Sequence, residues 1–202
     1  MRLKGRVERA KWSIDNVDSG LVNTTEFSGF ANITGGNQVD TFTFEQSDLG
    51  VEGRISGVVD GADGNDVANA QAITRDITVA LETSVAADIN IQNVETVQAN
   101  TDSQRSNTLI GFNVDSTWTL EGANQGTVEG VTFSGFANLT GGTGRDTFVF
   151  DGSDILTGVI RGGDNSDTLD TTGLTDAVIV ALSTSGASPV AGANLTVTEI
   201  ED

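Results

Sequence analysis

Apolar and polar positions along this chain alternate in short runs and almost never at helical spacing. The segments TFTF (41–44), GRISGVVD (53–60), ITVAL (77–81), INIQNVETV (89–97), TFVF (147–150), GVIRG (158–162), VIVAL (178–182) and NLTVTEI (194–200) are β-branched or aromatic and bounded by Gly, Asn, Asp or Ser. That pattern predicts strands, because such side chains suit a pleated, half-buried surface and the bounding residues suit turns. The best helix candidate is DVANAQAIT (66–74). A shorter rhythm lies beneath the strands: an aliphatic residue is followed two positions later by glycine at Ile33/Gly35, Ile55/Gly57, Val59/Gly61, Leu109/Gly111, Leu120/Gly122, Val128/Gly130, Leu139/Gly141, Leu156/Gly158 and Ile160/Gly162. Each pair reads as a strand end entering a glycine turn of positive φ. Turns this frequent predict an all-β fold, a right-handed parallel β-solenoid whose coils stack and are not stable singly. Two β-sandwich-like repeats are the alternative.

The pattern is written twice. Residues 27–44 (FSGFANITGGNQVDTFTF) and 133–150 (FSGFANLTGGTGRDTFVF) agree at thirteen of eighteen positions, at an offset of 106. The same offset pairs Trp12 with Trp118 and Leu3-Lys4-Gly5 with Leu109-Ile110-Gly111. Beyond Phe44 the offset becomes 101, matching VVDGADGND (58–66) to VIRGGDNSD (159–167), so the first copy carries five extra residues between about Gln46 and Gly57. This organisation divides the chain into repeat units at 1–106 and 107–202, the second cut short, joined without a flexible linker and expected to form one continuous rod. Eight of nine Phe and both Trp occupy paired positions, which marks them as core residues of each unit.

Composition narrows the chemistry. There is no Cys, His or Tyr, which excludes thiol redox, zinc-thiolate and histidine acid–base mechanisms. Acidic residues outnumber basic ones 29 to 10, and five of the ten bases (Arg2, Lys4, Arg6, Arg9, Lys11) lie in the first eleven positions. Such a chain repels nucleic acid, whose phosphates need clustered Lys and Arg, and cations are its natural partners. No apolar run is long enough to insert in a membrane, and the basic start lacks the apolar stretch of a signal peptide. The expected setting is the cell surface or the extracellular space, as part of a larger exported chain.

With these residues in view, FSGFxN[LI]TGGxxxDTFxF followed by [VI]xGGDxxDTLD resembles the repeats of very large bacterial surface and secreted proteins, the filamentous-haemagglutinin-like and RTX-like adhesins. The resemblance implies a β-rich, non-catalytic stalk or passenger segment that mediates attachment, with a host or cell-surface glycan or protein as partner. The turns GGTGRD (141–146), GGDNSD (162–167) and GADGND (61–66) resemble the GGxGxD turn of RTX repeats, where carbonyls and aspartates surround calcium. Asp146, Asp164, Asp167, Asp63 and Asp66 are therefore candidate calcium ligands. The second copy offers the better pair, since its turns begin at Gly141 and Gly162, closer together than Gly35 and Gly61 in the first. Arg145, Asn165 and the missing central glycine of GGNQVD (35–40) depart from that pattern. The competing reading is that Asp40, Asp66, Asp146 and Asp167 close turns on their own backbone.

A polysaccharide-cleaving β-helix enzyme could work with carboxylates alone, and Asp164, Asp167 and Asp170 lie close in sequence beside Arg161. Asp164 and Asp167, however, have counterparts at Asp63 and Asp66, and duplication points to structure. Four Asn-x-Thr triplets, at Asn23, Asn32, Asn138 and Asn194, read as turn and ladder residues.

Overall fold

A computed structural model describes residues 1–5, 8–46, 52–82, 86–102, 104–151, 156–174, 180–183 and 195–198. Among the described residues there is no helix. The chain divides into two compact units, Met1–Arg105 and Ser106–Asp202.

Unit 1 contains β1 (Arg2–Lys4), β2 (Lys11–Asn16), β3 (Ser19–Val22), β4 (Thr25–Ser28), β5 (Asn32–Thr34), β6 (Thr41–Phe44), β7 (Val58–Asp60), β8 (Val67–Ala70), β9 (Thr78–Ala80), β10 (Ile89–Gln92) and β11 (Thr96–Ala99). Strands alternate between two sheets, so each circuit of the chain adds one strand to each. In the first sheet β1, β5, β7, β10 and β9 lie side by side, all parallel. In the second, β2, β6, β8 and β11 form the parallel stack. This is a β-solenoid. Leu3, Ile33 and Val59 stack in register on the first sheet, and Trp12, Phe42 and Ala68 on the second.

The alternation in β2, Lys-Trp-Ser-Ile, explains why it is a strand: Trp12 and Ile14 are buried while Lys11 is exposed. In β6, Phe42 and Phe44 are buried likewise, and Trp12 stacks on Phe42 with ring centroids 5.6 Å apart. Segment 66–74, the sequence's best helix candidate, instead holds strand β8 and the turn that follows it. Its register on β6 places Ala68 beside Phe42, and its alanines at 68 and 70 are buried. Alanine's helical preference is a few tenths of a kcal/mol per residue and yields to coil stacking.

Unit 2 repeats the plan with β12 (Thr108–Ile110), β13 (Ser116–Gly122), β14 (Gln125–Val128), β15 (Val131–Ser134), β16 (Asn138–Gly142), β17 (Asp146–Asp151), β18 (Val159–Gly163), β19 (Thr168–Gly173), β20 (Val180–Ser183) and β21 (Leu195–Thr198). Leu109, Leu139, Ile160 and Val197 form one register line, and Trp118, Phe148 and Leu169 another. Leu139 pairs with Ile160, and Ile33 with Val59. Those pairings advance the chain by the same intervals that separate Gly141 from Gly162 and Gly35 from Gly61. The two turn spacings read from the sequence are thus coil lengths, and the five extra residues of unit 1 lie in the β6–β7 connection.

Two features depart from a plain parallel stack. Each unit's first coil carries an antiparallel hairpin extension, β2–β3–β4 and β13–β14–β15. In addition, β10 enters between β7 and β9, and β21 between β18 and β20, so the last two strands of each first sheet stand in reversed order.

The glycine rhythm has a different cause from the one expected. Of its nine glycines only Gly130 has φ in the left-handed region, and Asp18, Asn23, Asn93, Asn124 and Asn165 are among the residues that take such turns instead. Gly35, Gly61, Gly111 and Gly141 serve close approach between coils. A Cβ on Gly141 would run into the Asp146 carboxylate and the Gly162 carbonyl, and one on Gly35 into the Asp40 carboxylate and the Gly61 carbonyl.

Candidate functional site: an aspartate ladder at the coil corner

The GGxxxD segments sit where the chain leaves the first sheet and enters the second. The glycines let the backbone of successive coils approach, and the aspartate at the start of the next strand turns inward against them. Asp40, Asp66, Asp146 and Asp167 are at most 1% exposed, a burial that carboxylates tolerate only with partners. For Asp40, Asp66 and Asp167 backbone amides are such partners. Asp40 accepts from the Gly36 amide of its own turn and from the Ala10 amide of the coil before, each at 2.5 Å. Asp66 accepts from the Asp40 amide at 2.6 Å, and Glu95 from the Asp66 amide at 2.6 Å. In unit 2, Asp167 accepts from the Asp146 amide at 2.8 Å. Each of these accepting carboxylates thus ties its coil to the one before.

Stacking like charges in a dry corner has a measurable consequence. Burial, reinforced by the charges of Asp40, Glu95 and Asp60 and opposed by the Asp40 amide, pushes Asp66 up to about 6. Burial and the Asp167 charge raise Asp146 to about 6 as well, against the pull of Ser116 and Trp118. A second rung of amides lies nearby: Asn32 accepts from the Val58 amide and Asn138 from the Val159 amide, both at 3.0 Å. Two of the Asn-x-Thr triplets are therefore ladder residues. Asn23 forms a turn with φ of 55° and accepts from the Lys11 amide, and Asn194 lies outside the described residues.

Of the five candidate calcium ligands, the fold brings Asp146 and Asp167 together one coil apart. Asp66, Asp146 and Asp167 face inward, whereas Asp63 and Asp164 are exposed. Among the described residues no three acidic side chains gather as a metal-binding group, while calcium takes six to eight oxygens. Asp167, proposed with Asp164 and Asp170 for carbohydrate cleavage, is buried; Asp164 is exposed and Asp170 half-buried, accepting from the Thr172 amide and hydroxyl. Arg145 is exposed beside buried Asp146, and its amide donates to Asp115 at 2.8 Å. The rung that the sequence did not point to is Glu95, which stands where the motif has aspartate. The only signal was its place before a strand, at the offset of one coil from Asp66.

No family model matches the chain, and comparison with curated proteins and with solved structures finds no match.

Proposed function

We propose that this chain is a structural, adhesive repeat segment of a bacterial surface or secreted protein, and that it is not catalytic. The observation that carries the reading is the occupation of acidic side chains: the inward carboxylates of Asp40 and Asp66 in unit 1 and of Asp167 in unit 2 accept from the amides of neighbouring coils, so the tie occurs in both units. A reactive constellation needs groups free to meet substrate, whereas a scaffold needs the corner tie repeated at every coil. An outer surface of threonine, asparagine and acidic residues suits contact with a glycan or protein rather than with nucleic acid.

The test has two arms. Beads coated with the folded chain are compared with beads coated with heat-unfolded chain for retention on cell monolayers, and the soluble chain is incubated with acidic and neutral polysaccharides. Fold-dependent retention without release of reducing ends or unsaturated products is the expected result. Turnover that Asp167→Asn abolishes while the fold persists would replace the proposal with the enzymatic one.

A further inference from the structure

The two repeats share their ladders but differ on the outward face of the first sheet. In unit 1 the register sets Arg2 beside Asn32 and Thr34 beside Asp60. In unit 2 the same places hold Thr108 beside Asn138 and Thr140 beside Arg161. The asparagine and the threonine are kept, while the arginine and the aspartate are not. Duplication marks scaffold, so an unduplicated charge pair on a duplicated frame points to a separate use. At that place unit 1 has a pocket of about 230 Å³, whose lining includes Arg2, Asn32, Thr34, Val58, Asp60 and Gln92. It opens on the face of the sheet, over β5 and β7, with Arg2 on one side and Gln92 on the other.

The polar groups of this pocket are unbalanced. Asp60 has both oxygens occupied: Oδ2 accepts from Arg2, and Oδ1 accepts from Asn93 Nδ2 at 2.9 Å and from the Ala62 amide at 3.1 Å. Thr34 Oγ1 accepts from Arg2 Nε, and Asn32 Oδ1 from the Val58 amide. The acceptors are thus engaged, and donors are left over. Arg2 has N–H groups beyond these two bonds, on a side chain 59% exposed. Among the described residues Asn32 Nδ2 and the Gln92 side-chain amide make no hydrogen bond. Lys4, in register with Thr34, is exposed and joins no ion pair among the described residues. A chain of net charge −19 therefore presents spare donors and local positive charge here.

An anionic ligand rich in acceptors matches such a pocket. The planar guanidinium fork fits a carboxylate, and side-chain amides donate well to hydroxyl oxygens. Beside Val58 on the same face, Asn90 has a buried Oδ1 without a partner, an acceptor for a hydroxyl hydrogen. The volume lies below the roughly 300 Å³ at which pockets for drug-sized ligands begin, which suits a single sugar ring. We infer that this pocket binds one carboxylate-bearing residue of an acidic glycan, a uronate or a sialate, with Arg2 on the carboxylate and Asn32 and Gln92 on hydroxyls. Asp60 is a positioning residue that fixes the guanidinium before the ligand arrives. The inference rests on the adhesive reading and gives it a site and a ligand class.

The test titrates the 202-residue chain with galacturonate, N-acetylneuraminate, galactose and the methyl ester of galacturonate, following its side-chain amide signals by NMR. One or both acids should move the Asn32 and Gln92 signals to saturation, and which acid does so separates a uronate site from a sialate site. Galactose and the ester should leave those signals in place. Arg2→Gln removes the fork. Gln92→Glu sets a like charge at a half-buried outward position and leaves β1 untouched, which keeps the test sound if the first variant misfolds. Each should weaken binding about tenfold or more, as the loss of one charge-assisted hydrogen bond implies. Galactose binding as well as the acids, saturation that bypasses Asn32 and Gln92, or a folded Gln92→Glu chain that binds like the original overturns the inference. Bead retention on monolayers reads the two proposals apart. Retention without acid binding overturns the site and leaves adhesion standing, whereas acid binding without retention does the reverse.

Discussion

The amide of Asp40 and the carboxylate of Asp66 meet at 2.6 Å across one full coil of the solenoid. The donor belongs to a residue whose own carboxylate serves the coil before. Removing such a carboxylate strips acceptors from buried amides rather than merely losing an exposed contact. Asp40→Ala should therefore cost about 2–4 kcal/mol, from two orphaned amides at about 1–3 kcal/mol each less some relaxation. Asp40→Asn, which keeps one carbonyl acceptor, should cost less. Urea unfolding checks both, and a loss under about 0.5 kcal/mol for the alanine variant would contradict the ladder's stabilising part.

Acidity should stabilise this protein over a defined window. Asp66 and Asp146 have folded values near 6, above the ordinary 3.8 of an unfolded aspartate, so the folded state holds more protons between those limits. The associated stability is complete below the unfolded value and disappears as pH rises through about 6. Lowering pH from 7 to 5 should raise the melting temperature, with on the order of 1–2 kcal/mol available per group. Asp66→Asn combined with Asp146→Asn should flatten the profile. A melting temperature that falls between pH 7 and 5 would reject the assignment.

Calcium offers a sharper choice. Because inward carboxylates accept from amides and Asp63 and Asp164 stand exposed, melting curves in calcium and in chelator at equal ionic strength should coincide. A ligand that binds only the folded state at a hundredfold excess over Kd adds about 2.7 kcal/mol. A rise of several degrees with calcium but not magnesium would therefore support the metal-binding reading.

Glycine substitutions separate two uses of one residue. Gly130 has φ of 85° with open space around it, whereas Gly141 faces the Asp146 carboxylate and a backbone carbonyl of the next coil. Gly130→Ala should cost about 1 kcal/mol, the ordinary penalty for a left-handed alanine. Gly141→Ala should cost at least about 3 kcal/mol, since backbone must move. Thermal melts of the two variants give the comparison directly, and equal losses would show that coil approach at Gly141 is not tight.

Much of this fold was legible because a solenoid writes its geometry into spacing. The intervals between turns, Gly141 to Gly162 and Gly35 to Gly61, reappear as the pairings of Leu139 with Ile160 and Ile33 with Val59. The paired aromatics are the buried stacks Trp12–Phe42 and Trp118–Phe148. What was illegible depends on neighbours that lie far away in sequence. Val67–Ala70 is a strand because β6 lies beside it, and nothing within VANA says so. The hairpins hide because Asp18, Asn23 and Asn124, rather than glycine, take left-handed φ at three of their turns, and only the Glu129-Gly130 turn uses a glycine. At the site, the inward aspartates were found as residues but not as ladder members, since a backbone amide one coil away leaves no mark on local sequence.

The reversed order of β9 and β10 sets how such a chain can be made. A simple solenoid folds like a zipper, each new coil landing on a finished one. Here β9 emerges first but lies outside β10, which itself rests on β7. Nascent chain must therefore hold Thr78–Ala80 unpaired until Ile89–Gln92 has arrived, and then complete both strands together. Each repeat is consequently finished in a single late step. Partial synthesis that stops between them leaves β7 uncovered and open to the wrong strand. The unit of assembly, and of any duplication or deletion that preserves a folded product, is the whole repeat rather than the coil.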